Sequence, residues 1–285
     1  MTVRLSLLLI CLWLCSCEVI NPADPVPSYL YIDDFQVETA FDEGSNSSQL
    51  TEAWLYVNGE FLGSYSTPST VPVIASGPSE IVLFPGIRIN GIKALPDIYP
   101  FYETTTFNLD LIPTNVDTLR ALTGYPSTTK FSILEGFELG NVFARELDGD
   151  PLTKIENVSD DVFEGLRSGR IRLSAEHPNF EGSTVTTLKE IPLNGTEVYM
   201  EMDYKCDIQF AIGLIGVPEV GEEISNYFFI LRPKEEWNKI YIQLTEEIFA
   251  SQFPGYRVAI AATHPNDFEG TESEIFLDNI KLVHF

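Results

Sequence analysis

From Tyr29 onward the chain is written in short runs in which aromatic and β-branched residues recur between turn signals. Examples are "YLYIDDFQVET", "AWLYVNGEFLGSY", "EIVLFPGIRING" and "TTTFNLDLI". This pattern reads as strands bounded by turns. No stretch sustains an apolar period of 3.6 residues, so a helical core is excluded. The Asn58-Gly59 pair in "VNGE" lies between two apolar runs, the sequence signal for a tight hairpin. Helical candidates are short: "NVDTLRALTG", "SDDVFEGLRS" and "TEEIFASQF". A length of 285 residues suggests about two domains. The expectation is an all-β protein of two sandwich-type domains, residues 29–113 and 131–285, with residues 114–130 as a linker.

The N-terminus has a different grammar. Arg4 precedes the apolar run Leu5 to Leu14. That run falls short of the roughly 20 residues needed to span a bilayer and suits the core of a signal peptide. The residues that follow, "LCSC", resemble a bacterial lipobox, with Leu14 at −3, Cys15 at −2, Ser16 at −1 and Cys17 as the acceptor. An ordinary secretory signal cut nearby is the alternative. The lipobox resemblance implies removal of residues 1–16, acylation of Cys17 and lipid anchoring at the outer membrane. It leaves open whether the protein faces the cell surface or the periplasm. Residues 17–28, with Pro22, Pro25 and Pro27, then form a stiff tether. Of four cysteines, only Cys206 would remain as a free thiol. One thiol cannot close an internal disulfide, and its apolar surroundings point to an inert buried group.

A net charge of −25 argues against nucleic acid as a partner, because counterion replacement needs a basic face. Anionic headgroups would repel such a surface too, so the lipid would have to hold the protein at the membrane. With 44% hydrophobic and 21% charged residues the chain is globular.

Within the first domain, Val57, Asn58, Gly59, Glu60, Gly63, Thr67, Pro68 and Gly77 occur in the order seen in PEGA-type β domains, which this segment resembles. The resemblance implies a small Ig-like sandwich serving as a spacer. Asp117-Thr118-Leu119 resembles the acidic-Thr-aliphatic O-glycosylation acceptor of some exported proteins. The second domain resembles the galactose-binding-like jelly roll of carbohydrate-binding modules. The landmarks are "EGFELGN", "RSGRIRLSA", "IPLNGTEVYMEMDYK", "EWNKIYIQLT" and "EIFLDNIKLV", in that order. In such modules a structural Ca²⁺ often joins the opening and closing strands, so the resemblance implies Glu138 and Asp278 as its ligands.

No Gly-x-Ser-x-Gly elbow, His-Glu-x-x-His, phosphate-binding Gly loop or Cys-x-x-Cys pair is present. One turn occurs twice, "HPNFEG" from His177 and "HPNDFEG" from His264. Pro and Asn favour a turn, and Phe180 and Phe268 would tuck beneath it. The expectation is two local structural units. Convergence of His177, Glu181, His264, Asp267 and Glu269 on one ligand is the alternative. That alternative needs both loops at one end of the sandwich, whereas loops after adjacent antiparallel strands lie at opposite ends. "SNYFFIL" is the expected place for an exposed ring, and Trp237 matches a core position. The sequence thus supports a non-catalytic, membrane-anchored lipoprotein displaying a jelly-roll module for a glycan or a protein partner. A docking subunit of an outer-membrane assembly comes second and a glycan-active hydrolase third.

Overall fold

The computed structural model describes residues 24–285. The signal segment and Cys17 lie outside the described residues. The first unit contributes β1 (Ser28–Ile32), β2 (Gln36–Val37), β3 (Glu52–Val57), β4 (Glu60–Ser66) and β5 (Ser69–Val73). It continues with β6 (Gly77–Arg88), β7 (Pro96–Ile98), β8 (Thr105–Leu111), β9 (Val116–Leu119) and β10 (Leu122–Thr123). One sheet runs β4-β3-β6-β7 with β8 also on β6; facing it are β5-β1-β9 and the pair β10-β2. Leu30, Ile32, Leu55, Val71, Ile81 and Leu83 fill the space between. The β3–β4 hairpin turns at Asn58 and Gly59, with φ of 52° and 82°, as "VNGE" predicts.

The second unit contains β11 (Lys130–Glu135), β12 (Arg145–Glu146), β13 (Glu156–Val158), β14 (Ser168–Ser174), β15 (Asn179–Ser183) and β16 (Val198–Cys206). Its later strands are β17 (Phe210–Gly216), β18 (Ile224–Leu231), β19 (Lys234–Gln243), β20 (Tyr256–Thr263) and β21 (Glu272–His284). They make two sheets, β13-β14-β21-β16-β19 with β11 beside β21, and β12-β15-β20-β17-β18. Met200, Met202, Ile242 and Leu277 from the first sheet meet Phe180, Ile212, Val258 and Ile260 from the second. The fold class is all-β, with a sandwich-like second unit.

The linker expectation is corrected. Val116–Leu119 pairs in parallel with β1, Leu122–Thr123 pairs with β2, and Tyr125 is buried in the first core. Val-Asp-Thr-Leu can alternate as an edge strand, which places Leu119 inward and leaves Thr118 exposed. Its Thr and Asp residues read as loop only when the strand's partner is unknown. Two helical expectations fall as well. "NVDTLRALTG" holds β9 and β10, and "SDDVFEGLRS" is a loop running into β14. Among the described residues only Thr245–Ser251 is an α-helix.

The two units share a buried seam. Alternation sends Met200 and Met202 of β16 into the jelly roll and sends Tyr199, Glu201 and Asp203 toward the first unit. Tyr199, Tyr241 and Val283 belong to the first unit's core. The ring of Tyr99 lies 4.8 Å from Tyr241 and 5.5 Å from Tyr199. Tyr99 and Tyr125 donate their hydroxyls to Glu201 Oε1 at 2.6 and 2.7 Å, and Lys239 Nζ stands 3.3 Å from Glu201 Oε2. Burial, with Glu201 beside them, holds the phenols of Tyr99, Tyr102, Tyr125 and Tyr241 well above their ordinary range, so they remain donors. Lys281 donates to the Ser45 carbonyl and to Tyr125 Oη, and Ser47 donates to Asp203.

Candidate binding face and interdomain cleft

The second jelly-roll sheet turns its other face outward. Phe180, Val258, Ile260 and Ile212 point into the core, so Glu181, Ala259, Ala261, Ala211 and Gly213 point away from it. Register aligns these residues in two rows. Glu181, Ala261, Ala211 and Ile230 form one; Ser183, Ala259, Gly213 and Tyr227 form the other. The floor therefore consists of residues with almost no side chain, and larger groups rise at its margins.

Tyr227 lies across this floor. A Cβ on Gly213 would come within 2.6 Å of its ring, and its hydroxyl donates to Glu181 Oε1 at 2.7 Å. The ring reaches from β18 toward β15 over intervening strands, a span open only to a large side chain over small ones. It is partly exposed, and burial together with Glu181 pushes its phenol well up, so it stays a donor. A register shift between Ile212 and Gly213 sets the ring outward while Phe229, two residues on, packs on the core. At the far end Arg145 and Arg257 grip Glu223 at 2.6 and 3.3 Å. At the near end Asn179 and Thr263 are exposed and paired at 3.1 Å. A partly exposed ring flanked by carboxylate, amide and hydroxyl groups offers one face for stacking and several groups for hydrogen bonding.

The repeated turns do share one end, which corrects the topological expectation. β14 and β21 lie in one sheet while β15 and β20 lie in the other, so each turn is an arch between sheets rather than a loop within one. The arches stack, with His264 N–H donating to the Pro178 carbonyl at 2.7 Å. Their side chains nevertheless go separate ways. His177 Nδ1 meets Asp150 Oδ2 at 2.6 Å, and that contact holds the Asp150 carboxyl below its ordinary range. His264 is buried, bonded to Ser273 Oγ at 2.9 Å and packed edge-on against Phe268. Asp267 and Glu269 are exposed, and Glu181 serves Tyr227.

The calcium pair is not assembled as the resemblance implied. Glu138 Oε1 accepts N–H bonds from Leu166 at 2.6 Å and Arg167 at 3.1 Å, and Asp278 accepts from Glu164 and Asn279. Both carboxylates thus hold backbone amides, a structural use of these side chains. Among the described residues no group of three or more His, Cys, Asp or Glu side chains is gathered as for a metal. Burial pushes the Asp278 carboxyl up to about 7, with nearby Asp203 adding to the rise. Cys206 is free and buried, and burial pushes its thiol up to about 11. Trp237 is only partly buried; its indole N–H donates to Asp161 at 2.8 Å.

A cleft of about 770 Å³ opens between the units, where Phe229 to Lys234 face Gln49, Thr51 and the Ile89–Gly91 turn. Sequence reasoning missed this cleft, because no local pattern reports which surfaces two domains bring together.

No protein-family model matches the chain, and no curated protein matches it. Solved structures do resemble it. A family 22 xylan-binding domain from Paenibacillus barcinonensis is 13% identical, covering 56% of this chain and 96% of its own, with a TM-score of 0.38. A family 30 carbohydrate-binding module is 17% identical over 50% of this chain and 77% of its own, with a TM-score of 0.37. A family 11 module from Clostridium thermocellum, in complex with a mixed-linked tetrasaccharide, is 16% identical over 54% and 94%, with a TM-score of 0.36.

Proposed function

We propose that this chain is a non-catalytic, membrane-anchored lipoprotein whose jelly roll binds a glycan on the sheet face crossed by Tyr227. The observation that carries the reading is the ring itself, laid over Gly213 and tied to Glu181 beside a floor of alanines. Sugar rings present C–H faces that pack on an aromatic plane, and their hydroxyls need mixed donors and acceptors. Glu181, Asn179 and Thr263 supply these along one line. The test is a glycan array on the soluble chain, followed by titration of hits with Tyr227→Ala. An aromatic anchor at the centre of a site is expected to carry at least about 2 kcal/mol, some thirtyfold in affinity. Array binding that survives Tyr227→Ala unchanged sinks the assignment of this face.

The docking reading has one observation of its own. β18 is an edge strand, and Ile224 and Ile230 on it are 56% and 61% exposed. Failure of every glycan, with β18 protected from hydrogen exchange in membrane extracts, would favour it.

Anchoring rests on the "LCSC" resemblance alone. Cys17→Ser should leave the chain unlabelled by palmitate analogues and move it out of the outer-membrane fraction. Retention of both label and fractionation would reject Cys17 as the acceptor.

A further inference from the structure

We propose that the cleft between the units is a second binding site, specific for an anionic saccharide. Arg88, Arg232, Lys234 and Lys239 line it, and no Asp or Glu does, in a chain with 42 acidic and 17 basic residues. A molecule of this charge repels anions at long range, so a lining whose only charged side chains are basic is a local device. Arg88 and Lys239 are paired behind it to Glu52 and Glu201. Arg232 and Lys234 are exposed and have no ion pair among the described residues. Without counterions from the protein they are free to meet an anionic group.

The buried rim has the same character. Arg88 uses one terminal nitrogen on Glu52 at 3.3 Å, while its buried Nε–H has no acceptor. Lys239, with a side chain 3% exposed, is held from behind by Glu201 at 3.3 Å, and the Thr51 hydroxyl is buried without a partner. Two donors lacking acceptors, Arg88 Nε and the Thr51 hydroxyl, border one cleft, and a donor left unpaired away from solvent costs free energy that a ligand oxygen would recover.

Ligand class follows from size and mixed chemistry. About 770 Å³ lies in the range of small-molecule sites and far exceeds the need of an inorganic ion. Two guanidinium groups suit the planar fork of a carboxylate or the tripod of a sulfate. The amides of Gln49, Asn90 and Asn238 suit hydroxyls, which both donate and accept. A hydroxylated ring carrying a carboxylate or a sulfate ester meets both demands. The site is independent of the Tyr227 face.

The experiment is calorimetric titration of the detergent-solubilised full-length chain with three probes: oligogalacturonate, sulfated dextran and neutral dextran. At least one anionic probe should bind, more weakly as ionic strength rises, and the neutral one should not bind this site. Arg232→Ala combined with Lys234→Ala should reduce that binding by about tenfold or more without moving the denaturation midpoint, because both residues are exposed. Tyr227→Ala should leave it unchanged. Which anionic probe binds identifies the carboxylate or the sulfate as the source. Absence of binding by either, survival of binding in the double variant, or equal binding of neutral dextran overturns the proposal. Loss with Tyr227→Ala but not with the double variant also overturns it, while leaving the outer face standing as a glycan site.

Discussion

The two sheets of the jelly roll alternate in the same way and spend their second faces differently. On β16 the residues turned away from the jelly-roll core are Tyr199, Glu201 and Asp203, and all are buried against the first unit. On β17 and β20 the corresponding residues include Ala211 and Ala261, half-buried under open space and the Tyr227 ring. One sheet is a middle layer and the other is an outer wall. The middle layer has its polar groups buried and wired to one another; the outer wall pairs its own at the surface, where Asn179 and Thr263 remain exposed. Polar residues on a strand therefore mark two opposite situations, and only the tertiary partner tells them apart.

The comparison would break first at Glu201. Replacing it with alanine leaves Lys239 without its charge partner and Tyr99 and Tyr125 without their acceptor. Loss of one partner from a buried pair costs about 3–5 kcal/mol. Chemical denaturation should show that loss in a single cooperative transition shared by both units, and limited proteolysis of the parent should leave one resistant core. Two separate transitions in the parent would mean that the seam does not couple the units. On the outer wall, Tyr227→Ala removes one partly exposed ring and one hydrogen bond. Its stability loss should be about 1–2 kcal/mol, well below that of Glu201→Ala, while glycan binding falls far more. Equal losses at the two sites would erase the distinction between wall and seam.

A pH titration sharpens the contrast. Burial raises Asp278 from an ordinary 3.8 to about 7 in the folded chain. Between those values the native state holds a proton that the unfolded chain has released. The stabilisation is complete below pH 3.8 and is lost as pH rises through about 7, with a slope of up to about 1.4 kcal/mol per pH unit. Asp278→Asn should flatten this part of the stability profile; an unchanged slope would assign it to other groups. The smallest effects belong to the stacked arches. His264→Ala should cost about 1–2 kcal/mol through Ser273 and Phe268, and His177→Ala less, because His177 is partly exposed. The double variant should give their sum, since the side chains have separate partners. Strong non-additivity, mimicked by EDTA, would restore a shared ligand.

Local chemistry carried much of this in the sequence. The Asn58-Gly59 turn needs two positive φ values in succession, which few other residue pairs accept, so the hairpin was legible. "TEEIFASQF" proved helical, while "SDDVFEGLRS" offers the same short apolar spacing but has its backbone N–H groups held by Glu138 and Asp278. Partners distant in sequence decide that outcome. Period-two alternation separates Met200 from Glu201 but does not say that the Glu201 face is covered. Nor does it foresee that a register shift puts Tyr227 and Phe229 on opposite faces, although alternation alone would put them together. Glu181 stood among the residues singled out in the repeated turn. Its partner Tyr227 lay in the expected aromatic stretch, and the sequence had no means of joining them.

β21 closes the jelly roll last in chain order yet lies inside its sheet, bonded to β11, β14 and β16. These strands cannot assemble around it until Glu272–His284 has emerged during synthesis. Until then β16 pairs only with β19, and its edge toward β21 is open. Pairing β11 with β21 also closes one of the longest loops in the unit, a topology that places folding among the slower, millisecond-to-second β proteins. The chain therefore passes through an interval in which β11, β14 and β16 each keep one backbone edge unpaired, open to the wrong strand as well as to the right one.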